Sequence, residues 1–389
     1  MALTPDIPAT IPTLLAQRVS AHANEVVLRA KHRGIWMSAT WATFAADIRL
    51  VGLALAARGM AQAAIVGVLS DTRPEAVHAD LGAISIGCVS LCLATQDDPD
   101  RLAETLHRTH CRLLFVENEE QLDKALLLRD RCPDLAHIVI TDMKGLHALD
   151  DPMCEGLASF LDRGAAYGRA HPDAWEALTR SVTPDLPAAL IPSAGADAML
   201  THRDILRLAA QTGERLGQRA GDERLAFLPM STVLERVVGL YTALLTRTIS
   251  NYLENAATLI ENMREVQPTI LAAPAPVWER FRDRVVAEAA NATLIQRMLF
   301  NWALRAGEAA PTGVVAWVAR SLVLRSVRQN MGLARLRVAC TGTGVPRMDQ
   351  AGWYAALGVT LAGLAALAVP ATAGAPAQLT LSDDSTCVA

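Results

Sequence analysis

The run His107-Arg108-Thr109-His110-Cys111 is the first place to look for metal chemistry. His107 and His110 stand three apart, so a helix would put both on one face, but no third ligand follows at a suitable spacing. The expectation is that this run holds no metal. Ser193 lies in Ile191-Pro192-Ser193-Ala194-Gly195, without a Gly-x-Ser-x-Gly elbow or an adjacent histidine, so a serine hydrolase is not supported. The seven cysteines are scattered and form no CxxC pair, which reads as free thiols in a reducing compartment. Cys88 and Cys92 fall in an apolar run and are expected in the core. Lys31, Lys124 and Lys144 are the only lysines. Between 289 and 348, eight arginines face a single acid, Glu308. Within that stretch, residues 314–331 alternate apolar residues and arginines at helical spacing. They read as a solvated helix face, or as a basic surface for an anionic membrane, coenzyme A phosphates or an acidic partner.

Elements must position such groups, and the composition sets their scale. The 389 residues are 51% hydrophobic, enough for a sizeable core. The net charge of −4 and the 4% aromatic content argue against a nucleic-acid binder. The N-terminus lacks a basic region followed by a continuous apolar run, so a cytoplasmic protein is expected. Residues 355–371 are apolar but too short to span a bilayer.

Residues 11–60 predict a helix, a hairpin turning at Lys31-His32-Arg33-Gly34, and a helix over 41–58 stopped by Gly59. Short apolar runs at 64–69, 88–93, 113–116 and 137–141 read as strands separated by helices, which argues for a parallel sheet covered on both sides. A polar connector is expected over 142–185. The alternation returns with strands at 188–191, 225–229, 249–253, 269–273 and 336–340, and helices at 201–216 and 234–245. Residues 276–330 read as helical. The expected division is 1–185 as a first α/β subdomain with its connector, 186–369 as a second, incomplete one, and 370–389 as a disordered tail.

The order of these segments carries a resemblance. GIWMSATWATFAADI, AIVGVLSDTRPEAVHADLGAISIGCVSL, AMLTHRDIL, RLAFLPMSTVLERVVGLYTALL and ENMREVQPTILAAPAPVWERFRDRV follow one another as in bacterial long-chain fatty-acid–CoA ligases of the AMP-binding, adenylate-forming superfamily. The resemblance implies the large N-terminal domain of such an enzyme, α/β with stacked sheet-and-helix subdomains, without the small C-terminal domain. Its members use Mg-ATP to make an acyl-adenylate and pass the acyl group to coenzyme A.

Residue by residue, the resemblance weakens where ATP would be handled. The family's phosphate loop ends in Lys-Gly; here the corresponding positions are Ala196 and Asp197, and the carboxylate of Asp197 is expected to repel a triphosphate. Ser193, Gly195 and Thr201 read as remnants of that loop, or Ser193 and Gly195 as a plain tight turn. Thr232 stands where the family has a histidine, and cannot titrate near neutral pH. Glu235 and Arg236 match the family and read as a solvated ion pair on a helix surface. Gly342 and Gly344, after the expected strand, read as remnants of the acyl and adenylate pocket, or as a strand-ending turn. The Thr-Glu pair of the third family motif has no counterpart around Gly363, and Asp349 is the only acid between Glu308 and the tail, so no magnesium site is expected. No lysine follows Lys144 to serve in adenylation. Losing even one charged stabiliser of such chemistry costs several powers of ten in rate.

The expectation is therefore a non-catalytic homologue needing no cofactor, whose partners are a long-chain fatty acid or acyl-CoA, or an active ligase paralogue, with peripheral membrane contact through the 314–331 helix and no nucleic acid. The alternatives are one part of a split acyl-CoA synthetase, or a relic.

Overall fold

A computed structural model describes residues 7–192, 197–309, 313–342 and 348–363. Its strands are short and apolar, as burial on both faces requires. In chain order they are β1 (Val26–His32), β2 (Ile35–Thr40), β3 (Ile65–Leu69), β4 (Val89–Leu93), β5 (Leu113–Val116), β6 (His137–Ile140) and β7 (Cys154–Gly156). There follow β8 (Pro187–Ile191), β9 (Ala198–Thr201), β10 (Glu223–Ala226), β11 (Ile249–Tyr252), β12 (Ile270–Ala272), β13 (Val338–Cys340) and β14 (Leu361–Ala362).

The first sheet runs β7-β6-β5-β3-β4-β8-β9 and the second β14-β13-β12-β10-β11-β1-β2. The pairs are parallel except β1–β2 and β8–β9. The expected hairpin is present: Arg33 and Gly34 both take positive φ, 49° and 79°, as a two-residue turn joining twisted strands requires. Residue 185 does not divide the sheets. The hairpin β1–β2 lies in the second sheet, where Leu28 is in register with Ser250, and β8–β9 lie in the first. The segment 370–389 lies outside the described residues.

Residues 142–185 are more structured than a connector. They hold β7 and the helices Leu157–Ala170 and Ala174–Ser181. These helices lie on the surface, and of their residues only Phe160 and Gly164 are buried. That shallow burial is why their sequence is polar enough to resemble a loop.

The expected helix from 234 is present, beginning as a π-helical segment, Leu234–Tyr241, and continuing as Thr242–Thr246. Every residue from Glu235 to Tyr241 is buried. A helix apolar almost all round belongs between two layers. Val237, Leu240 and Tyr241 join the core that the first sheet shares with Leu28, Ala226 and Tyr252 of the second, whereas Val238 and Leu234 pack with Ile270, Val338 and Cys340 of the second. On the far side of the second sheet, Trp278, Phe281, Phe300 and Tyr354 build a separate core beneath the helices Ala275–Ala290, Leu294–Ala309 and Met348–Ala356.

Candidate functional site

Both sheets reverse their order of growth internally: β4 and β5 flank β3, and β11 and β12 flank β10. In open α/β sheets the crevice outside the carboxyl ends of the strands at such points is the usual place for a ligand. The loop after β10 carries Leu228-Pro229-Met230-Ser231-Thr232, and the turn after β13 carries Thr341 and Gly342. From the first sheet, the residues after β3 join them, because the Thr72 hydroxyl donates to the Leu228 carbonyl at 2.5 Å. The Asp71 carboxylate accepts from Thr95 Oγ1 at 2.7 Å, and Glu117 accepts from the Asp71 amide at 2.7 Å, so these acids are held by their neighbours.

Thr232 begins the helix between the sheets. Its hydroxyl donates to the Pro229 carbonyl at 2.7 Å and accepts from the Glu235 amide at 3.2 Å, as an N-terminal capping group does. Gly342 takes φ +70°, and a methyl group added there would meet Leu234 Cδ2 at 2.8 Å. The structure thus sets Leu234, two residues beyond Thr232, against Gly342. Thr201 has a capping role of its own. It caps the helix His202–Arg215 in a reciprocal box with Asp204: its hydroxyl donates to the carboxylate at 2.7 Å and accepts from the Asp204 amide at 3.1 Å. Ser193, Gly195 and Gly344 lie outside the described residues. Asp197 forms an ion pair with Arg108, so its charge is partly compensated.

The expectation for Glu235 and Arg236 is overturned. They are not a solvated pair; both side chains are buried, and each pairs with a different partner. Their partners belong to different sheets, Arg224 in β10 and the Ser90 and Leu190 carbonyls in β4 and β8, so the two side chains face opposite layers. Glu235 meets Arg224 of β10, and burial raises its pKa against the opposing pull of that arginine. Arg236 reaches into the first sheet. Its Nη2 donates to Asp80 Oδ1 at 2.5 Å and to the Ser90 carbonyl at 2.9 Å, and its Nη1 to the Leu190 carbonyl at 3.1 Å. Its Nε donates to Tyr241 Oη at 3.0 Å, which in turn donates to Asp80 Oδ2 at 3.0 Å. Burial alone would lower the Arg236 pKa, but the Asp80 carboxylate more than offsets this and raises it. Cys92 lies beside Asp80, and burial pushes its thiol up to about 12, so it is a neutral core group. Sequence reasoning missed Asp80, Tyr241 and Thr72. The available signal was an acid–base dipeptide inside the apolar run Val-Leu-Glu-Arg-Val-Val-Gly-Leu-Tyr, which only buried partners can accommodate.

Elsewhere, His107 and His110 have ring centroids 6.5 Å apart, and His110 pairs with Asp134 at 2.9 Å. Among the described residues no group of three or more His, Cys, Asp or Glu could hold a metal ion, and no helix is long and apolar enough to cross a membrane. Cys88 and Cys92 are buried as expected. A cavity of about 380 Å³ opens on the other side of the second sheet, among Phe281, Val285, Phe300, Leu322 and Val327.

A model of the family described as AMP-binding enzyme matches residues 15–369. The chain belongs to the AMP-binding enzyme family. Among curated relatives of this family member, the long-chain-fatty-acid–CoA ligase ACSBG2 of Xenopus laevis is 23% identical over 374 residues, covering 90% of this chain and 50% of the relative. The putative fatty-acid–CoA ligase fadD11 of Mycobacterium tuberculosis is 27% identical over 318 residues, 73% of this chain and 56% of the relative. The chain spans about half the length of the curated relatives it matches. The adenylation domain of a carboxylate reductase from Mycobacterium chelonae superposes with a TM-score of 0.64 at 17% identity, over 91% of this chain and 57% of that one. The anthranilate CoA ligase AuaEII, solved with anthranoyl-AMP, gives 0.62 at 16% identity, over 93% and 60%. The fold is thus the α/β fold of the large N-terminal domain of adenylate-forming enzymes.

Proposed function

We propose that this AMP-binding family member is a non-catalytic acyl-binding or regulatory protein, taking a long-chain fatty acid or its acyl-CoA without activating it. The observation that carries the reading is that the two described positions implied to line the nucleotide and acyl pocket are filled from within. The Thr232 hydroxyl is committed in both directions, and the space a glycine leaves at position 342 is taken by the Leu234 side chain. Both features support a pocket that does not take Mg-ATP, and no step through it is derived. Ala196 and Asp197 in place of Lys-Gly point the same way. In this reading the chain needs no cofactor. Its partners are the acyl ligand and an active ligase paralogue, and as a cytoplasmic lipid-binding protein it also touches a membrane peripherally.

Calorimetry on the purified chain with Mg-ATP, a long-chain fatty acid and its acyl-CoA titrated separately tests this. Binding of an acyl ligand with no heat from Mg-ATP is the expected result. ATP–pyrophosphate exchange with any fatty acid would overturn it.

A further inference from the structure

The helix Leu294–Ala309 carries two apolar stripes. Phe300, Ala303 and Gly307 are buried against the second sheet's outer core. On the opposite side, Leu294, Ile295, Met298, Leu299 and Trp302 repeat at three- and four-residue spacing and are exposed, Ile295 and Met298 by 72% and 71%. The next helical segments add Val315, Trp317 and Leu322, 58%, 65% and 78% exposed. These residues account for most of the exposed large apolar side chains among the described residues. A core helix needs one apolar stripe, and a soluble surface rarely gathers this many exposed apolar groups without covering them.

The charge around this face is mostly positive, with Glu308 the one acid on the helix Leu294–Ala309. Arg297, Arg305 and Arg325 are exposed and form no ion pair among the described residues. Three further arginines of the basic stretch are spent within the fold: Arg335 pairs with Glu223, Arg337 with Asp222, and Arg328 donates to the Leu333 carbonyl at 3.1 Å. The face is thus centred on the helix Leu294–Ala309, upstream of the 314–331 segment that the sequence singled out.

We propose that this face seats the protein on an anionic phospholipid bilayer, with the helix Leu294–Ala309 and the helical segments that follow it lying in the interfacial plane. Trp302 and Trp317 supply amphipathic rings suited to the headgroup level, the aliphatic side chains enter the acyl boundary, and the three arginines meet lipid phosphates. A bilayer supplies apolar and anionic groups without fixed register, whereas an acidic protein would have to match both in place. Leu299 and Leu322 also line the 380 Å³ cavity, whose wall includes Arg264 and the Arg284–Glu288 ion pair, so the seated face places that cavity beside the acyl region. The inference deepens the lipid-binding reading above and rests on it for its purpose. Its test needs no acyl ligand, so either idea fails alone.

The experiment is co-sedimentation of the full chain with phosphatidylcholine vesicles, with and without an equal part of phosphatidylglycerol, together with tryptophan emission. Three surface arginines predict binding about a hundredfold tighter to the anionic vesicles at low salt, weakening as salt rises. A blue shift is expected that is lost in the double variant Trp302→Phe/Trp317→Phe. Arg297→Glu/Arg305→Glu/Arg325→Glu removes the anionic preference. Leu294→Ser/Ile295→Ser/Met298→Ser removes binding to both vesicles while circular dichroism stays unchanged, because these side chains are exposed. No sedimentation with anionic vesicles overturns the proposal. So does a dimer in analytical ultracentrifugation that the serine variant abolishes, because the face would then be covered by a second copy.

Discussion

Replacing Arg236 with methionine tests whether its guanidinium is the fastening between the two layers. The substitution keeps the aliphatic stem and removes the donors to Asp80, the Ser90 and Leu190 carbonyls and Tyr241. Asp80 is then a fully buried carboxylate facing only a tyrosine hydroxyl and the Cys92 thiol, and breaking such a pair costs about 3–5 kcal/mol. The stranded carboxylate can escape only by taking a proton. For an ordinary aspartate that costs about 4 kcal/mol at pH 7 and about 1.5 kcal/mol at pH 5. The loss should therefore be about 4 kcal/mol at pH 7 and about half that at pH 5, where protonation relieves the buried charge. Adding Asp80→Asn to the variant should recover stability at pH 7 and abolish the pH dependence of the gap. Equilibrium urea unfolding followed by both tryptophan fluorescence and circular dichroism reads this out. Two probes are needed because two sheets released from each other can unfold in separate steps. A loss below about 1 kcal/mol, or a gap equal at both pH values, would show that the guanidinium is not what fastens the layers.

His202 is buried, its Nδ1 accepts from the Ile11 amide at 3.3 Å, and burial lowers its pKa to about 4. The unfolded chain binds the proton first, so stability should fall as pH drops from about 6.5 to about 4, by up to about 3 kcal/mol, and His202→Gln should flatten that limb of a thermal-unfolding profile. Thr201→Val removes the reciprocal cap and should cost about 1 kcal/mol, lowering Tm while leaving acyl-ligand affinity by calorimetry unchanged; a loss of affinity would return Thr201 to the ligand site. Gly342→Ala places a side chain at positive φ against Leu234 and should cost more than the roughly 1–2 kcal/mol of backbone strain alone. Adding Leu234→Ala should restore only the steric part, as seen in urea midpoints.

The strands were legible wherever both faces are buried. Runs such as Val66–Leu69 and Leu113–Val116 are continuously apolar because helices cover them on either side. The hairpin at Arg33-Gly34 was legible from its turn residues. The surface helices of 157–181 were not, because so little of them is buried. Nor were the capping roles of Thr201 and Thr232, since a capping threonine and a ligand-binding one are the same letter. The Arg236–Asp80 bond joins residues 156 positions apart, and no local pattern reports a partner at that range.

The exchange of hairpins between the sheets also sets an order of assembly. As the chain is synthesised, β3 to β9 can close the first sheet once residue 201 has emerged. The hairpin β1–β2, made long before, has no sheet to join until β11 arrives at residue 249. A lone two-stranded hairpin is marginally stable in water, so it must wait, tethered to a nearly finished neighbour, with the edge of β1 open. That interval is when an unfinished chain is most exposed to edge pairing with another copy. It closes only when Ser250 comes into register with Leu28.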